Sequence, residues 1–594
     1  MTPTRRIIFS VLAGLLLLAA DVPAKSSPKV LFIAGPGSHG YGAHEFRAGA
    51  LLLANELDAS NLKIETAVSE YGWPKDDAAF DGVTSVVMLC TGEDAHLLND
   101  HLDFFDKLAD KGVGLVLIHT STITTIGPPG EHFMKWVGGY HELYYSVVHT
   151  WEATFDSLPE HPITRGVKPF VFDDEWYFHM RFRPGLENIT PILSAHPKRD
   201  DVMNLKSGKL KGDDQVKDAV ARGEIQHVAW AFERPDGGRG FGFTGAHNHW
   251  SWADTNYRKL VLNAIVWTTH GEVPEDGVPS APLTLNQLLA HQDYNPKVGM
   301  TLDDVLAAIP APLADSNEEP NFQPRTLLTW NDDAPPGTTR IAFLAGSRSG
   351  EYGTLESYAA SVLLGRELEA AFPNLDVAVF ARPFPKEIWD ELTHADAVVF
   401  HTEEGSPNPL DKGPKPVAEL IASGIGAVAL TGSLVANPGN GELLLETIGA
   451  RATSPAQFKD RRIHFDSLPD HPVCYGVAPF EIEDAWLAHL ELADTLTPLL
   501  ADPDTNAPLL WINETESGNR IVGHAGGFHH FALANQNYRR LLLNAIAWAA
   551  GLNIPEQGTP AETLSLNSLK QNQNHRPPGN INWNEYRGRF GITD

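Results

Sequence analysis

The chain has 594 residues, 42% of them apolar, and a formal net charge of −30. That length exceeds one ordinary domain and supplies apolar material for two sizeable cores. The acidic balance opposes the field that a phosphate backbone or an anionic lipid surface attracts, so nucleic acid is excluded as an expected partner.

Residues 1–24 read as a signal peptide: a basic start at Arg5 and Arg6, an apolar run over 7–20, and small residues at Val22-Pro-Ala24. The run is shorter than the ~20 residues that span a bilayer. The expectation is a secreted or periplasmic protein with no stable membrane insertion after cleavage. Only Cys90 and Cys474 are present, one in each half of the chain. No disulfide is expected, and Cys90, closing an apolar run, is expected to be buried.

Residues 29–34 predict a strand, 35–42 a glycine-rich loop and 44–57 a helix. Further strands are predicted at 62–68, 83–89 and 113–118, with a helix over 102–111. Apolar strands alternating with helices predict an α/β fold with a mostly parallel sheet covered on both faces. The loop Gly35-Pro-Gly-Ser-His-Gly40 matches a dinucleotide-binding spacing, but Pro36 and His39 obstruct a pyrophosphate and no acidic residue follows at the second strand end. There is no Gly-x-Ser-x-Gly elbow for a hydrolase serine.

The sequence then repeats itself. Phe155-Asp-Ser-Leu-Pro-Glu-His-Pro-Ile-Thr-Arg-Gly-Val167 returns as Phe465-Asp-Ser-Leu-Pro-Asp-His-Pro-Val-Cys-Tyr-Gly-Val477, and Gly240-Phe-Gly-Phe-Thr-Gly-Ala-His-Asn-His-Trp250 returns as Ile521-Val-Gly-His-Ala-Gly-Gly-Phe-His-His-Phe531. Each copy ends in a predicted helix closed by Gly271 or Gly551. The chain is a tandem duplication of a unit of roughly 220 to 250 residues. The expected divisions are a first domain at 28–275, a linker at 276–336, a second domain at 337–557 and a polar tail at 558–594.

The first copy carries His39, His44 and Glu45 in its first loop, His119 after its fourth strand, Asp174, Glu175 and His179 in one run, and His247 and His249 near its end. In the second copy Gly350, Leu355, Thr431, Ala485 and Phe528 stand at His39, His44, His119, Glu175 and His247. Glu356, Asp484, His489 and His530 stand at Glu45, Asp174, His179 and His249. Residues that a second copy of the same fold dispenses with are not holding that fold together. His39, His44, His119, Glu175 and His247 are therefore the functional candidates, with His39, His44, His119 and Glu175 the expected catalytic residues.

Two chemistries suit such a set. His247 and His249, read as facing one side of an extended loop, could hold one divalent metal with His119, leaving an open position. Alternatively, a histidine and Glu175 exchange protons with a substrate without metal. Glu45, Asp174, Trp176, Tyr177, His179 and Trp250 are expected to contact a carbohydrate substrate, the aromatics by stacking on sugar rings.

The opening Phe-Ile-Ala-Gly with His39, His44 and Glu45, the strand end Leu-Ile-His119, Asp174-Glu-Trp-Tyr177 and the Gly-Ala-His-Asn-His-Trp250 run together resemble the ThuA-like, or trehalose utilisation, family. The resemblance implies two tandem flavodoxin-like domains related to class I glutamine amidotransferases, and a role in sugar, disaccharide or keto-glycoside catabolism. The related amidotransferases use a cysteine where His119 stands, so glutaminase chemistry is not expected. The resulting expectation is a carbohydrate-directed enzyme whose second copy is degenerate; the alternative is a non-catalytic carbohydrate-binding or scaffold protein.

Overall fold

The computed structural model describes residues 27–346, 350–382, 384, 388–402, 419–436, 441–453, 455–514, 518–579 and 581–593. The expected signal peptide lies outside them.

The first repeat opens with β1 (Lys29–Ala34), α1 (Phe46–Ala59), β2 (Glu65–Ser69), β3 (Val83–Leu89), α2 (Leu102–Ala109), β4 (Gly114–Ile118) and α3 (Pro128–Trp136). A separate hairpin follows, β5 (Trp151–Phe155) and β6 (Phe170–Asp174), then β7 (Ile189–Ala195), β8 (Gln226–Glu233), β9 (Arg239–Phe243) and α4 (Thr255–Thr268). One seven-stranded sheet has the order β7-β8-β9-β4-β3-β1-β2. The five strands from β9 to β2 are parallel, and β7 and β8 add an antiparallel edge. The order β2-β1-β3-β4-β9 is that of a flavodoxin-like, doubly wound sheet.

Alternation along β1 shows why both faces are covered. Val30, Phe32 and Ala34 join a core with Leu53 of α1 and Leu260 of α4, whereas Leu31 and Ile33 join another with Phe105 of α2 and Trp136 of α3. Successive side chains on a strand point to opposite faces, so a continuous apolar run requires two cores. The second repeat builds the same sheet, with Leu375–Ala381, Thr339–Ala345, Ala397–His401, Gly426–Leu430, Arg520–His524, Pro508–Glu514 and Thr497–Ala501 side by side. No helix among the described residues is long and apolar enough to cross a membrane.

Three expectations change. The segment read as a linker contains α5 (Leu285–Leu289), capped by Thr284, and a helix at Leu302–Ala308, capped by Thr301; Leu283, Leu288, Leu289 and Val305 are buried in the first repeat's core. The segment read as a polar tail likewise forms helices at Leu566–Lys570 and Trp583–Phe590, burying Leu566, Leu569, Phe590 and Ile592. Each short helix buries only one or two apolar residues, too few to stand out against a polar composition. The turn after α4 is made by His270 (φ 61), not Gly271, and His270 aligns with Gly551 (φ 75).

These trailing segments also join the two repeats. Asn295 N donates to Asn574 O (2.9 Å) and Arg576 N to Asp293 O (2.8 Å), an antiparallel crossing of equivalent stretches.

Candidate functional site

The parallel strands deliver their carboxyl ends to one edge of the sheet, where loops carry the site. His119 follows β4 directly with φ 56, His44 precedes α1 with φ 51, and Ala246 follows β9 with φ 78. Left-handed backbone at non-glycine residues costs about 1–3 kcal/mol each. Leu355 (φ 50), Thr431 (φ 53) and Gly527 (φ 90) repeat these angles in the second copy. The strained backbone therefore belongs to the scaffold, and the side chains alone distinguish the copies.

Those side chains converge. His44 Nε2 lies 3.0 Å from both His119 Nε2 and His247 Nδ1. Glu175 Oε2 lies 3.2 Å from His247 Nδ1 and 3.6 Å from His119 Nε2. One donor atom from each of the four residues lies within 4.8 Å of all the others. His119 Nδ1 sits 2.8 Å from the Thr244 carbonyl. A carbonyl only accepts, so Nδ1 carries the proton and the Nε2 lone pair faces the cluster. Ser38 Oγ, 2.9 Å from His44 Nδ1, orients the second ring. The Tyr177 hydroxyl lies 3.0 Å from His119 Nε2 and 3.4 Å from Glu175 Oε2.

The charge states of His44, His119 and Glu175 suit ligation, whereas His247 has to release a proton to ligate. Burial pushes the His119 imidazole down to about 3, against the nearby Glu175 charge, and burial with the neighbouring His119, His39 and His247 lowers His44 further. Burial opposes ionisation of Glu175, but the hydrogen bond from His247 and the nearby His119 outweigh it and hold the carboxyl below its usual range. Burial opposes charging of His247 too, and Glu175 more than offsets it, so that imidazole is raised. Tyr177 is pushed far up by burial and by Glu175, and keeps its proton.

His39 stands over this group, its ring centroid 3.7 Å from that of His44 and its Nδ1 3.1 Å from Ser38 Oγ. Burial and His247 lower its pKa. Of the cluster, His44 and Glu175 line a cleft of about 420 Å³, with Thr91, Glu93, Asp94 and Thr120 among its walls. Ser38, Glu93 and Asp94 carry no chemical signature in the sequence that separates them from ordinary loop residues.

The remaining candidates lie elsewhere. His249 opens a 3-10 turn, His249–Ala253, which rotates its ring away from His247. Burial lowers His249 to about 4, and it lies beside the Leu288 carbonyl of α5, as His530 Nε2 lies 2.9 Å from Leu569 O. It is not with the metal-capable group. Asp174 is fully buried and accepts bonds from the backbone N–H groups of Glu175, Ala246 and His247 and from the Tyr257 hydroxyl. It braces the His247 loop instead of facing a ligand, and Asp484 does the same for its own repeat.

Glu45 accepts from Gly42 N and from Asp293 N (2.6 Å), tying the first loop to the trailing segment. Trp176 is fully buried against Phe155 and Phe243. Trp250 packs on Gly42, where a Cβ would meet its Nε1 at 2.7 Å. His179 Nδ1 pairs with Tyr145 O, apart from the cleft. Of the residues expected to contact sugar, Tyr177 alone lines the cleft. The Gly35 to Gly40 loop is occupied by the trailing segment: Gly37 N donates to Asp293 Oδ2 and the Tyr294 hydroxyl to Gly37 O. Cys90 and Cys474 are free and buried, with thiols pushed up by burial to about 11 and about 12.

No curated protein matches the chain. Among solved structures, a ThuA-like protein from Bacteroides uniformis ATCC 8492 is 16% identical over 42% of this chain and 95% of its own, with a TM-score of 0.29. One from Parabacteroides merdae ATCC 43184 is 16% identical over 43% of this chain and 96% of its own, also at 0.29. The family model described as ThuA, trehalose utilisation, matches residues 29–268 and 368–549. With well over half of its length matched, one stretch in each repeat, the chain belongs to the ThuA family.

Proposed function

We propose that the first repeat is a divalent-metal-dependent enzyme acting on a sugar or keto-glycoside, and that the second repeat is a non-catalytic partner. The carrying observation is the donor geometry. Donors about 2.0–2.1 Å from a tetrahedral metal are about 3.3–3.4 Å apart, four of the six separations in the group span 3.0 to 3.6 Å, and all six lie within 4.8 Å. Three imidazole nitrogens and one carboxylate oxygen are borderline ligands that suit zinc and its neighbours better than magnesium or calcium. The second repeat has Leu355, Thr431, Ala485 and Phe528 at these places and offers none of the donors.

In this reading His44, His119, Glu175 and His247 hold the ion, with Ser38 and Thr244 fixing two of the rings. A divalent metal held by these four groups and accepting a further ligand would supply Lewis acidity toward a substrate oxygen. The chain provides the proton chemistry. Tyr177 keeps its phenolic proton and donates it toward an oxygen entering the cleft, while neutral His39 at the mouth accepts a proton from a substrate carbon or hydroxyl. The cleft wall offers hydroxyl, carboxylate and backbone groups together with Ile123, Val148 and Leu210. A sugar would be recognised there through its hydroxyls and not by stacking on tryptophan. Export of the mature protein is proposed on the order of basic, apolar and small residues over 1–24.

The test is turnover of a panel of disaccharides and their 3-keto derivatives by the full mature chain, supplied in turn with zinc, manganese and magnesium. Turnover that a chelator abolishes and that His39→Ala reduces is expected. Metal-independent turnover, or none by any metal-loaded form, would overturn the proposal.

A further inference from the structure

A second cavity, of about 1040 Å³, lies between the repeats and meets the cleft at Ser38 and His39, which line both. Its wall includes Lys297 from the first trailing segment, Arg325, Arg382 from the second repeat and His575 from the second trailing segment. Among the described residues that line it there is no carboxylate. In a chain with 75 acidic and 45 basic residues, three cations and no acid among the described lining residues run against composition.

Of these cations, Arg325 lies near the buried Glu356 carboxyl, which stands outside the cavity lining. Arg325 is half-buried, and its Nε and Nη1 bond to neutral acceptors, Asn572 O and Asn574 Oδ1. Its guanidinium also lies 4.7 Å from the Tyr358 ring centre, and that of Arg382 lies 5.7 Å from the Phe384 ring centre. Positive groups gathered in a concave, low-dielectric wall concentrate field on whatever occupies it. Arg325 is held in place by the trailing segment that crosses between repeats, so the cavity exists only because both copies are present.

We infer that this cavity is the binding site for the anionic part of an acidic saccharide, a sugar chain bearing carboxylate or sulfate groups, whose other end reaches the cleft past His39. The inference deepens the proposed carbohydrate activity and rests on it for the word saccharide. It gives the second repeat a role: it contributes Arg382 and holds Arg325. Guanidinium groups pair bidentately with carboxylate and sulfate oxygens, which neutral sugars lack.

The experiment is calorimetric titration of the full mature chain with tetragalacturonate, a sulfated galactan tetrasaccharide, neutral maltotetraose and inorganic phosphate. It is repeated on the double variant Lys297→Gln, Arg382→Gln and on the metal-site variant His119→Ala, His247→Ala. At least one acidic tetrasaccharide is expected to bind roughly tenfold or more tightly than maltotetraose, to weaken with added salt, and to lose that advantage in the Lys297, Arg382 variant. Which of the two acidic probes binds distinguishes a carboxylate from a sulfate source. The metal-site variant keeps the preference, because these cations lie outside the metal group. Equal affinity for acidic and neutral probes, phosphate binding as tightly as the saccharides, or a preference unchanged in the Lys297, Arg382 variant would each overturn the inference. A wild type that takes up no added divalent metal yet still prefers acidic saccharides would instead overturn the metal-dependent activity and leave the cavity assignment standing.

Discussion

His44 Nε2 and His247 Nδ1 meet at 3.0 Å across 203 positions of sequence, and the same two residues are joined by a backbone bond from His44 N to His247 O (3.0 Å). In the second repeat Leu355 N donates to Phe528 O (2.7 Å) at the equivalent place. The backbone contact survives where both imidazoles are gone. The contact therefore belongs to the fold, and the imidazole pair is an addition to it.

That addition predicts metal content confined to the first repeat. Purified wild type is expected to hold about one equivalent of a divalent metal by plasma mass spectrometry. His44→Ala and His119→Ala are each expected to lose it while keeping the far-ultraviolet circular dichroism of the wild type. His529→Ala, in the second repeat, is expected to keep the full equivalent.

Metal binding to the native state alone should also stabilise the first repeat. At a free metal concentration about a hundredfold above Kd the gain is about 2.7 kcal/mol. A thermal scan should show the transition of the first repeat moving upward with added metal and the second staying in place. Glu175→Gln is expected to weaken the metal by roughly 10–100-fold or more and to shrink that shift in proportion.

Tyr177 is placed to donate a proton while standing beside the ligands. Tyr177→Phe is expected to retain the metal equivalent and substrate affinity and to lose kcat by about 10²-fold. A fall in metal content of the same size would instead make Tyr177 a packing residue for His119.

Asp174 and Asp484 carry equal burdens in the two repeats, each bonded to backbone donors and to a buried tyrosine hydroxyl. Removing either leaves those donors buried without an acceptor. Asp174→Ala and Asp484→Ala are each expected to lower the stability of their own repeat by about 2–4 kcal/mol in denaturant unfolding. A loss of activity with no loss of stability in Asp174→Ala would place Asp174 on the substrate after all.

Glu356 supplies a pH prediction away from the metal group. Burial pushes its carboxyl up to about 7, despite the Asn574 N–H and Arg325. The folded form binds this proton more tightly than the unfolded chain, whose carboxyl titrates at about 4.3. The stabilisation is therefore complete below that pH and is lost as pH rises through about 7. Wild-type melting of the second repeat is expected to fall between roughly pH 5 and 8, and Glu356→Gln to flatten that fall.

The internal repeat made much of the site legible before any coordinates. Comparing the copies separated His44, His119, Glu175 and His247, which converge, from Glu45, Asp174, His179 and His249, which brace loops or pack inside. It could not place His249 correctly, because a strand that ends in a 3-10 turn no longer sends alternate residues to one side. Nor could it see that Trp176 and Trp250 are packing residues, since an aromatic in a loop sequence reads alike whether it faces sugar or Gly42. Ser38 and Thr244 act through one hydroxyl and one backbone carbonyl and leave no pattern at all.

The sequence by itself determined the duplication, the parallel α/β architecture and which titratable residues the scaffold can do without, because periodicity and self-comparison are local or one-dimensional signals. The tertiary structure decided which of those residues touch. It also decided that the trailing segments belong to the cores and cross between repeats, and that a cavity with no carboxylate among its described lining residues adjoins the cleft. Those facts depend on distances between residues hundreds of positions apart, and such distances are set by sheet order and packing and by no pattern within a single segment.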